Sequence, residues 1–334
     1  MKKLNQHLLL AAAMMLMAGS AYAQAPTNQG NRPTATPRAT TPVGAANPFT
    51  VPNGSVPYST SPSAYSQDSY VSQTNTGNYA NVNQTEDRSE YSGGGSSASI
   101  TQTGMNNNAY QTQSLNASSG TNNARNEMRS TQAGDNNESR QTQAGGYNNT
   151  AAVVQAAGSS KSSAVQVQNG GNTNSAQITQ SKYQSDPNVS NSASQTQSGN
   201  NQIARIGQQG QSSVITQVQS GSGNSVDGYQ GARGKNNTIT QTQSGSNNTA
   251  YAIQSSYDPQ LDFDRNTAKQ TQSGTNGSAY IEQRAHDSYA EQMQMGDSNI
   301  SRIQQGQAGT SSYVKSAAYT TQSGMSNTAT ITQR

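Results

Sequence analysis

The chain has no cysteine and no tryptophan, and only two of its 334 residues are phenylalanine, Phe49 and Phe263. Without cysteine there is neither a disulfide framework nor a thiolate metal site. Charge is scarce too: 10% of residues are ionisable Asp, Glu, Lys or Arg, and the formal net charge is +3. Apart from Lys2-Lys3 the basic residues are scattered singly, so no basic stripe follows a nucleic-acid backbone. Histidine is limited to His7 and His286, too few to build a Ser-His-Asp constellation. Asp262-Phe263-Asp264 lacks the spaced ligands and closing Glu of an EF-hand, and Gly93-Gly94-Gly95 lacks the Lys-Ser/Thr of a phosphate loop. No catalytic residue, cofactor, metal, nucleic acid or small-molecule substrate is expected. Long apolar runs are absent beyond the N-terminus, and with 29% hydrophobic residues a conventional packed core cannot offset chain ordering.

Gln, Asn, Ser, Thr and Gly fill the space. Such a mixture gives either a disordered polar tract or a stacked β structure held by backbone and amide ladders. Two N-terminal segments stand apart from it. Lys2-Lys3, the apolar run Leu8 to Ala18 and Ala21-Tyr22-Ala23 predict a secretory signal over 1–23, with a mature start at Gln24. The apolar run is too short for a bilayer span, which needs about 20 residues. Eight of the ten prolines then fall between Pro26 and Pro62, which blocks helices and sheet ladders alike. Residues 24–66 read as an extended leader, either a plain spacer or a secretion or anchoring element.

From residue 67 the texture becomes a repeat. The frame Gln-x-Gly-x-x-Asn-x-Ala-x-x-x-Gln is complete at Gln102/Gly104/Asn107/Ala109/Gln113, Gln243/Gly245/Asn248/Ala250/Gln254 and Gln322/Gly324/Asn327/Ala329/Gln333. One position changes at Gln272/Gly274/Gly277/Ala279/Gln283 and at Gln219/Gly221/Asn224/Val226/Gln230. Partial copies are Gln132/Gly134/Asn137/Gln143 and Gln197/Gly199/Gln208. These are the candidate ladder residues. The terminal Gln occurs 21 times, at 73, 84, 102, 113, 132, 143, 155, 168, 180, 197, 208, 219, 230, 243, 254, 272, 283, 294, 305, 322 and 333.

Residues two apart in a strand share a face. The residue two before the terminal Gln alternates between Gln (111, 141, 166, 195, 217, 241, 270, 292) and a mostly aliphatic class. That second class is Ser130, Val153, Ile178, Ile206, Gly228, Ala252, Ile281 and Ile303, with Val82 and Thr320 breaking the pattern near the ends. The full repeat therefore holds two strands and spans 22 to 30 residues. Its architecture is expected to be all-β, a two-sheeted solenoid of about ten strand-turn-strand coils over 67–334, roughly 50 Å long at the spacing of paired strands. Gly after the Gln is expected to supply turn freedom, and the following Asn to tolerate left-handed geometry and bond nearby backbone. Inward Gln amides are expected to bond along the stack, with Ile and Val of the other sheet as the apolar part. The long steps 180–197, 254–272 and 305–322 fall on one arc, which makes that arc the decorated edge. Loop charges such as Asp135, Glu138, Asp186 and Asp258 read as gatekeepers against premature aggregation.

The complete frames, alternating with a second Gln-terminated strand behind a secretory signal, resemble the curlin repeat of bacterial curli subunits over residues 67–334. That resemblance implies an amyloid fibre subunit, major or nucleator, secreted unfolded through an outer-membrane channel with chaperones. It implies assembly with itself and a second curlin subunit at the surface of a Gram-negative cell, in biofilm and adhesion. It also implies that Gln322, Asn327 and Gln333 matter for fibre growth. The chain departs from the family in its greater number of coils and in the Pro-rich leader. The competing reading is a monomeric, secreted β-solenoid adhesin or binding module.

Overall fold

The computed structural model describes residues 67–333 except 88–95, 117–125, 183–187, 232–233, 256–262 and 307–314. The signal, the Pro-rich leader, Gly93-Gly95, Asp186, Pro187, Asp258 and Pro259 lie outside the described residues.

Each terminal Gln lies in the C-terminal part of a strand, and in the first sheet it closes the strand. Eleven parallel strands, from Gln67–Gln73 to Thr328–Gln333, form the first sheet; ten, from Tyr79–Asp87 to Ala317–Ser323, form the second. Successive strands of the chain alternate between the sheets, so each pair makes one coil of a parallel β-solenoid of about ten coils. The register is the repeat frame itself: Gln73 pairs Gln102 in the first sheet, and Gln84 pairs Gln113 in the second. The Gln class falls wholly in the second sheet and the aliphatic class in the first, with Val82 opposite Gln111 and Thr320 opposite Gln292.

Period-two alternation decides the faces. In Thr238–Ser246, Ile239, Gln241 and Gln243 point inward and are buried. The apolar core is a column of Val153, Ile178, Ile206, Ala252, Ile281 and Ile303 against Ala164, Ala193, Ile215, Ile239, Ala268 and Ala290. β-branched side chains in the one column face small ones in most of the other, which lets the sheets approach closely.

Turn chemistry needs a correction in two places. The left-handed residue is not the motif Asn but the residue before it: Asn106 (φ 53°), Asn136 (φ 55°), Asn247 (φ 55°) and Ser326 (φ 57°). The motif Asn is freed by that geometry to point inward. The motif Gly serves two purposes. Gly245 adopts φ 95°, and any Cβ there would also overlap the Gly274 carbonyl of the next coil. Gly104 needs no left-handed freedom; it is glycine because a Cβ would overlap the Gly134 carbonyl. Close stacking, more than flexibility, selects this residue.

Gly199 (φ 110°), Gly221 (φ 97°) and Gly324 (φ 93°) take the left-handed turn geometry expected of the glycine after the Gln. They lie on the outer rim of the turns: Gly221 and Gly324 are exposed and Gly199 is half-buried. Having no side chain, they contribute nothing to an amide column, and their part is to let the backbone turn and stack. A Cβ on Gly199 would overlap the Gly221 carbonyl, and one on Gly221 the Gly245 carbonyl. Gly324, in the last coil, has no later glycine above it. A Cβ there would meet only Asn327 Nδ2 at 3.7 Å, so its φ of 93° alone favours glycine.

The three long steps do run from the first sheet to the second. This is also the arc that carries two extra ribbons, Ser159–Ser160 with Asn188–Val189 and Gly234–Lys235 with Phe263–Asp264. Glu138 is not a loop charge: it opens the strand Glu138–Ala144 and pairs with Arg140. Asp135 does lie in a turn, where its Oδ1 accepts from the Met105 amide of the preceding coil at 2.8 Å.

Candidate functional site

The inward amides form three continuous Gln ladders. In the first sheet, ten bonds of 2.6–3.1 Å run from Gln73 through Gln102, Gln132, Gln155, Gln180, Gln208, Gln230, Gln254, Gln283 and Gln305 to Gln333. In the second, nine bonds of 2.6–3.0 Å run from Gln84 through Gln113, Gln143, Gln168, Gln197, Gln219, Gln243, Gln272 and Gln294 to Gln322. The third joins Gln111 to Gln292 through seven bonds of 2.7–3.0 Å.

Most interior Gln residues use the second Nε2 proton on a backbone carbonyl, as Gln254 does on Thr238 O at 3.0 Å, whereas Gln219, Gln243 and Gln272 donate to the next Gln alone. A primary amide with two donors and one strongly used acceptor is thereby satisfied without water, which is what permits a polar interior. The third ladder stops where the sequence pattern breaks. Gln111 Oε1 is buried without a partner because Val82 occupies the coil before it.

The motif Asn residues make a second kind of ladder at the turns. Asn248 Oδ1 accepts from the Gly277 amide at 2.8 Å, and its Nδ2 donates to Gly274 O of the next coil and Ser244 O of its own, both at 2.9 Å. Asn224 stands to Asn248 in the same way, its Oδ1 accepting from the Asn248 amide at 2.9 Å. The rim glycines enter this ladder through their carbonyls: Gly221 O accepts from Gln202 Nε2 at 3.3 Å, Gly199 O from Asn174 Nδ2 at 2.7 Å and Gly324 O from Asn299 Nδ2 at 3.0 Å. On the other arc Asn107 accepts from the Asn137 amide at 2.9 Å. Asn149, Asn174, Asn191, Asn237 and Asn266 hold equivalent places and fall outside the Gln-x-Gly-x-x-Asn frame, because loop insertions change the spacing from the preceding Gln; Asn299 stands there too and keeps the frame, as Gln294/Gly296/Asn299. Counting back six residues from every terminal Gln would have found them.

Replacing Asn248 with Ala is expected to cost about 2–3 kcal/mol, since the Gly277 N–H and two carbonyls lose their buried partner. Urea unfolding followed by circular dichroism measures it; a loss below about 0.5 kcal/mol would contradict the role.

The ladders have a direction. In every Gln–Gln bond the earlier coil donates through Nε2 and the later coil accepts through Oε1. The last coil therefore presents donors. Gln333 Nε2 bonds Ala317 O at 2.9 Å and Gln322 Nε2 bonds Ile300 O at 3.0 Å, which leaves each amide one outward proton. The first coil presents Gln73 and Gln84, whose Oε1 atoms receive no Gln amide. Among the described residues, Gln67–Gln73 and Thr328–Gln333 each pair on one edge only. The two ends are thus complementary in backbone, side chain and register.

The Gln and Asn members of the expected ladder set stand in these stacked columns, while its glycines line the turns beside them. Ala109, Ala250 and Ala279 are fully buried, whereas Ala329 in the last strand is half-buried. What the sequence reading did not single out lies outside the ladders, on the outer face of the first sheet. Tyr251 and Tyr280 stack there with ring centroids 5.3 Å apart, and Arg302 sits 5.0 Å over the Tyr280 ring. Beside them Asp227 is 0% exposed, and both carboxylate oxygens lack a hydrogen-bond donor. Loss of hydration pushes its carboxyl up to about 7, against the opposing pull of Arg205.

The fold and its columns define a class: a two-sheeted parallel β-solenoid whose interior is held by directional side-chain amide ladders. No family model and no curated protein matches the chain.

Proposed function

We propose that the chain is a non-catalytic structural subunit of an extracellular, curli-like amyloid fibre that grows by end-to-end stacking of solenoid coils. The observation that carries this reading is the polarity of the ladders, with donors on the last coil and acceptors on the first. A second copy placed on Thr328–Gln333 would continue both sheets and the two Gln columns that end at Gln333 and Gln322, in the register used inside one chain. The repeat and its resemblance to curlins support the wider setting: export by the predicted signal, an outer-membrane channel with chaperones, a second curlin subunit as partner, and a place in biofilm matrix and adhesion on a Gram-negative cell.

The test is growth from denaturant-diluted mature chain, followed by thioflavin T with and without fibre seeds. A lag abolished by seeds is the expected result. A chain that becomes β-rich yet stays monomeric at high concentration would overturn the proposal in favour of a binding module. Gln333→Leu removes an end donor from a half-buried position. It is expected to slow seeded elongation about tenfold, the equivalent of one to two amide bonds, with little change in the fold of the subunit. Unchanged elongation would show that the last coil is not the growing face.

A further inference from the structure

The two sheets do not hold the same number of strands. Among the described residues the first has eleven and the second ten, because the solenoid opens on one first-sheet strand, Gln67–Gln73, and closes on another, Thr328–Gln333. If Gln67–Gln73 of a second copy simply stacks on Thr328–Gln333, every level of the first sheet is filled. The second sheet is then one strand short. Ala317–Ser323 and the incoming Tyr79–Asp87 stand two levels apart, about 9.6 Å, too far to share hydrogen bonds. Across that gap Gln322 cannot reach Gln84, and the inward columns through Ala318 and Ala80 and through Thr320 and Val82 are cut.

We propose that Gln67–Gln73 is a placeholder strand, displaced at each joint by the Thr328–Gln333 strand of the preceding copy. This rests on the end-to-end growth proposed above and specifies its interface. With the exchange, one copy fills ten levels of each sheet and neither sheet has a vacancy. The two arrangements gain equally in strand pairing, since exchange makes two pairings and breaks one. The columns between the sheets therefore decide. In the common Gln register, Thr328–Gln333 lands on Ser96–Gln102 with Ala329 on Ala98, Ile331 on Ile100 and Gln333 on Gln102. The strand it displaces offers Ser69 and Val71 at the places of Ala329 and Ile331. Exchange thus buries more apolar surface over Ile100, itself 0% exposed, and keeps the second sheet's inward columns whole.

The acceptor end of the subunit carries the second argument. Ser69 Oγ donates to Gln84 Oε1 at 2.5 Å, and Gln73 Nε2 donates to Gln102 Oε1 at 2.6 Å. One short strand thereby occupies the acceptor oxygen at the head of each sheet's terminal Gln column. These are the two oxygens that Gln322 and Gln333 of a preceding copy would use, each having one outward proton. Displacing Gln67–Gln73 uncovers both at once. In the free subunit the same strand keeps that end closed, and a sheet edge that is covered until a partner arrives is protected from wrong pairing.

The absence of cysteine lets disulfides report the joint. Register partners on adjacent parallel strands lie about 4.8 Å apart at Cα, within the span of a disulfide. In an exchanged joint the outward Thr332 meets Thr101 of the next copy, whereas in a simple stack it meets Ser72. Full chains carrying Thr101→Cys with Thr332→Cys, or Ser72→Cys with Thr332→Cys, are grown from seeds under reducing conditions and then oxidised. Covalent multimers are expected from the first pair, in roughly tenfold excess over the second. The reverse pattern would overturn the exchange and leave end-to-end growth standing. Equal yields, or multimers from neither pair in fibres that do grow, would overturn it as well. Failure of the parent chain to extend seeds would remove both proposals. A staple gives a second reading: Ser72→Cys with Thr101→Cys ties the placeholder to the strand beneath it. Oxidised, that chain is expected to extend seeds roughly tenfold more slowly than when reduced, while a Thr112→Cys and Thr142→Cys staple within the second sheet changes little. Unaltered growth of the first staple on oxidation would contradict the exchange.

Discussion

Gln243→Glu is expected to destabilise the subunit by about 3–5 kcal/mol at neutral pH, the cost of an uncompensated buried charge. Gln243 lies between Gln219, which donates to it at 2.9 Å, and Gln272, to which it donates at 2.7 Å. A carboxylate keeps the first bond and loses the second, and it turns an acceptor toward the Gln272 Oε1. Its neighbour Thr242 points the other way and is not buried, so Thr242→Glu is expected to change stability by less than about 0.5 kcal/mol. Urea midpoints of the two variants measure the contrast. Because burial raises the folded carboxyl and protonation restores a donor, the Gln243→Glu deficit should shrink as pH falls from neutral and level off near about 4, where folded and unfolded chains are both protonated. Equal effects of the two substitutions would show that the ladder contributes no more than the surface.

The second large effect is a pH slope set by Asp227. Its folded carboxyl is raised from 3.8 to about 7, chiefly by lost hydration. Below about pH 4 the acid is protonated whether the chain is folded or not, and it leaves stability unchanged. Between about 4 and 7 the unfolded chain gives up this proton while the fold retains it, so stability falls as pH rises. The fall is about 1.4 kcal/mol per unit, on the order of 4 kcal/mol in all, and it levels off above about 7. Asp227→Asn is expected to remove that slope and to be more stable than the parent above pH 7 by about 2–4 kcal/mol. Parallel stability–pH profiles of the two chains would contradict the burial of an ionisable acid at this position.

Much of this architecture was legible in the sequence. The 21 terminal Gln residues mark the C-terminal part of each main strand, and the alternation two residues earlier sorts them correctly into sheets. This works because a solenoid repeats one environment, so a period written in Gln, Gly and Asn is a direct record of stacking. Even the faults were readable: Val82 predicts where the third ladder stops, and Gln111 Oε1 is left unpartnered there. Turn detail was harder. The left-handed position accepts Asn, Ser, Thr, Lys, Arg or Asp, as at Asn247, Ser298, Thr173, Lys161, Arg265 and Asp287, so no single letter reveals it. Nor does a repeated glycine say whether it sits inside the stack, like Gly104, or on the exposed rim, like Gly221 and Gly324.

The buried outward tyrosines escaped notice for a different reason. Tyr229 lies one residue before its terminal Gln, and Tyr251 and Tyr280 lie three before theirs. Both are outward positions in a strand, where aromatic residues read as surface. Asp227 was illegible on the same ground. Nothing in a lone acidic residue says that its hydration will be lost.

The central claim is that subunits join by continuing the coil stack, and the mass per length of seeded fibres tests it most directly. About ten coils at about 4.8 Å give one 34.9 kDa chain per roughly 50 Å, or about 0.7 kDa per Å for a single filament. That value, with a cross-β reflection near 4.8 Å along the fibre, is the predicted result. About 7 kDa per Å, one chain per 4.8 Å layer, would mean that the subunit opens into stacked single strands and would contradict the account.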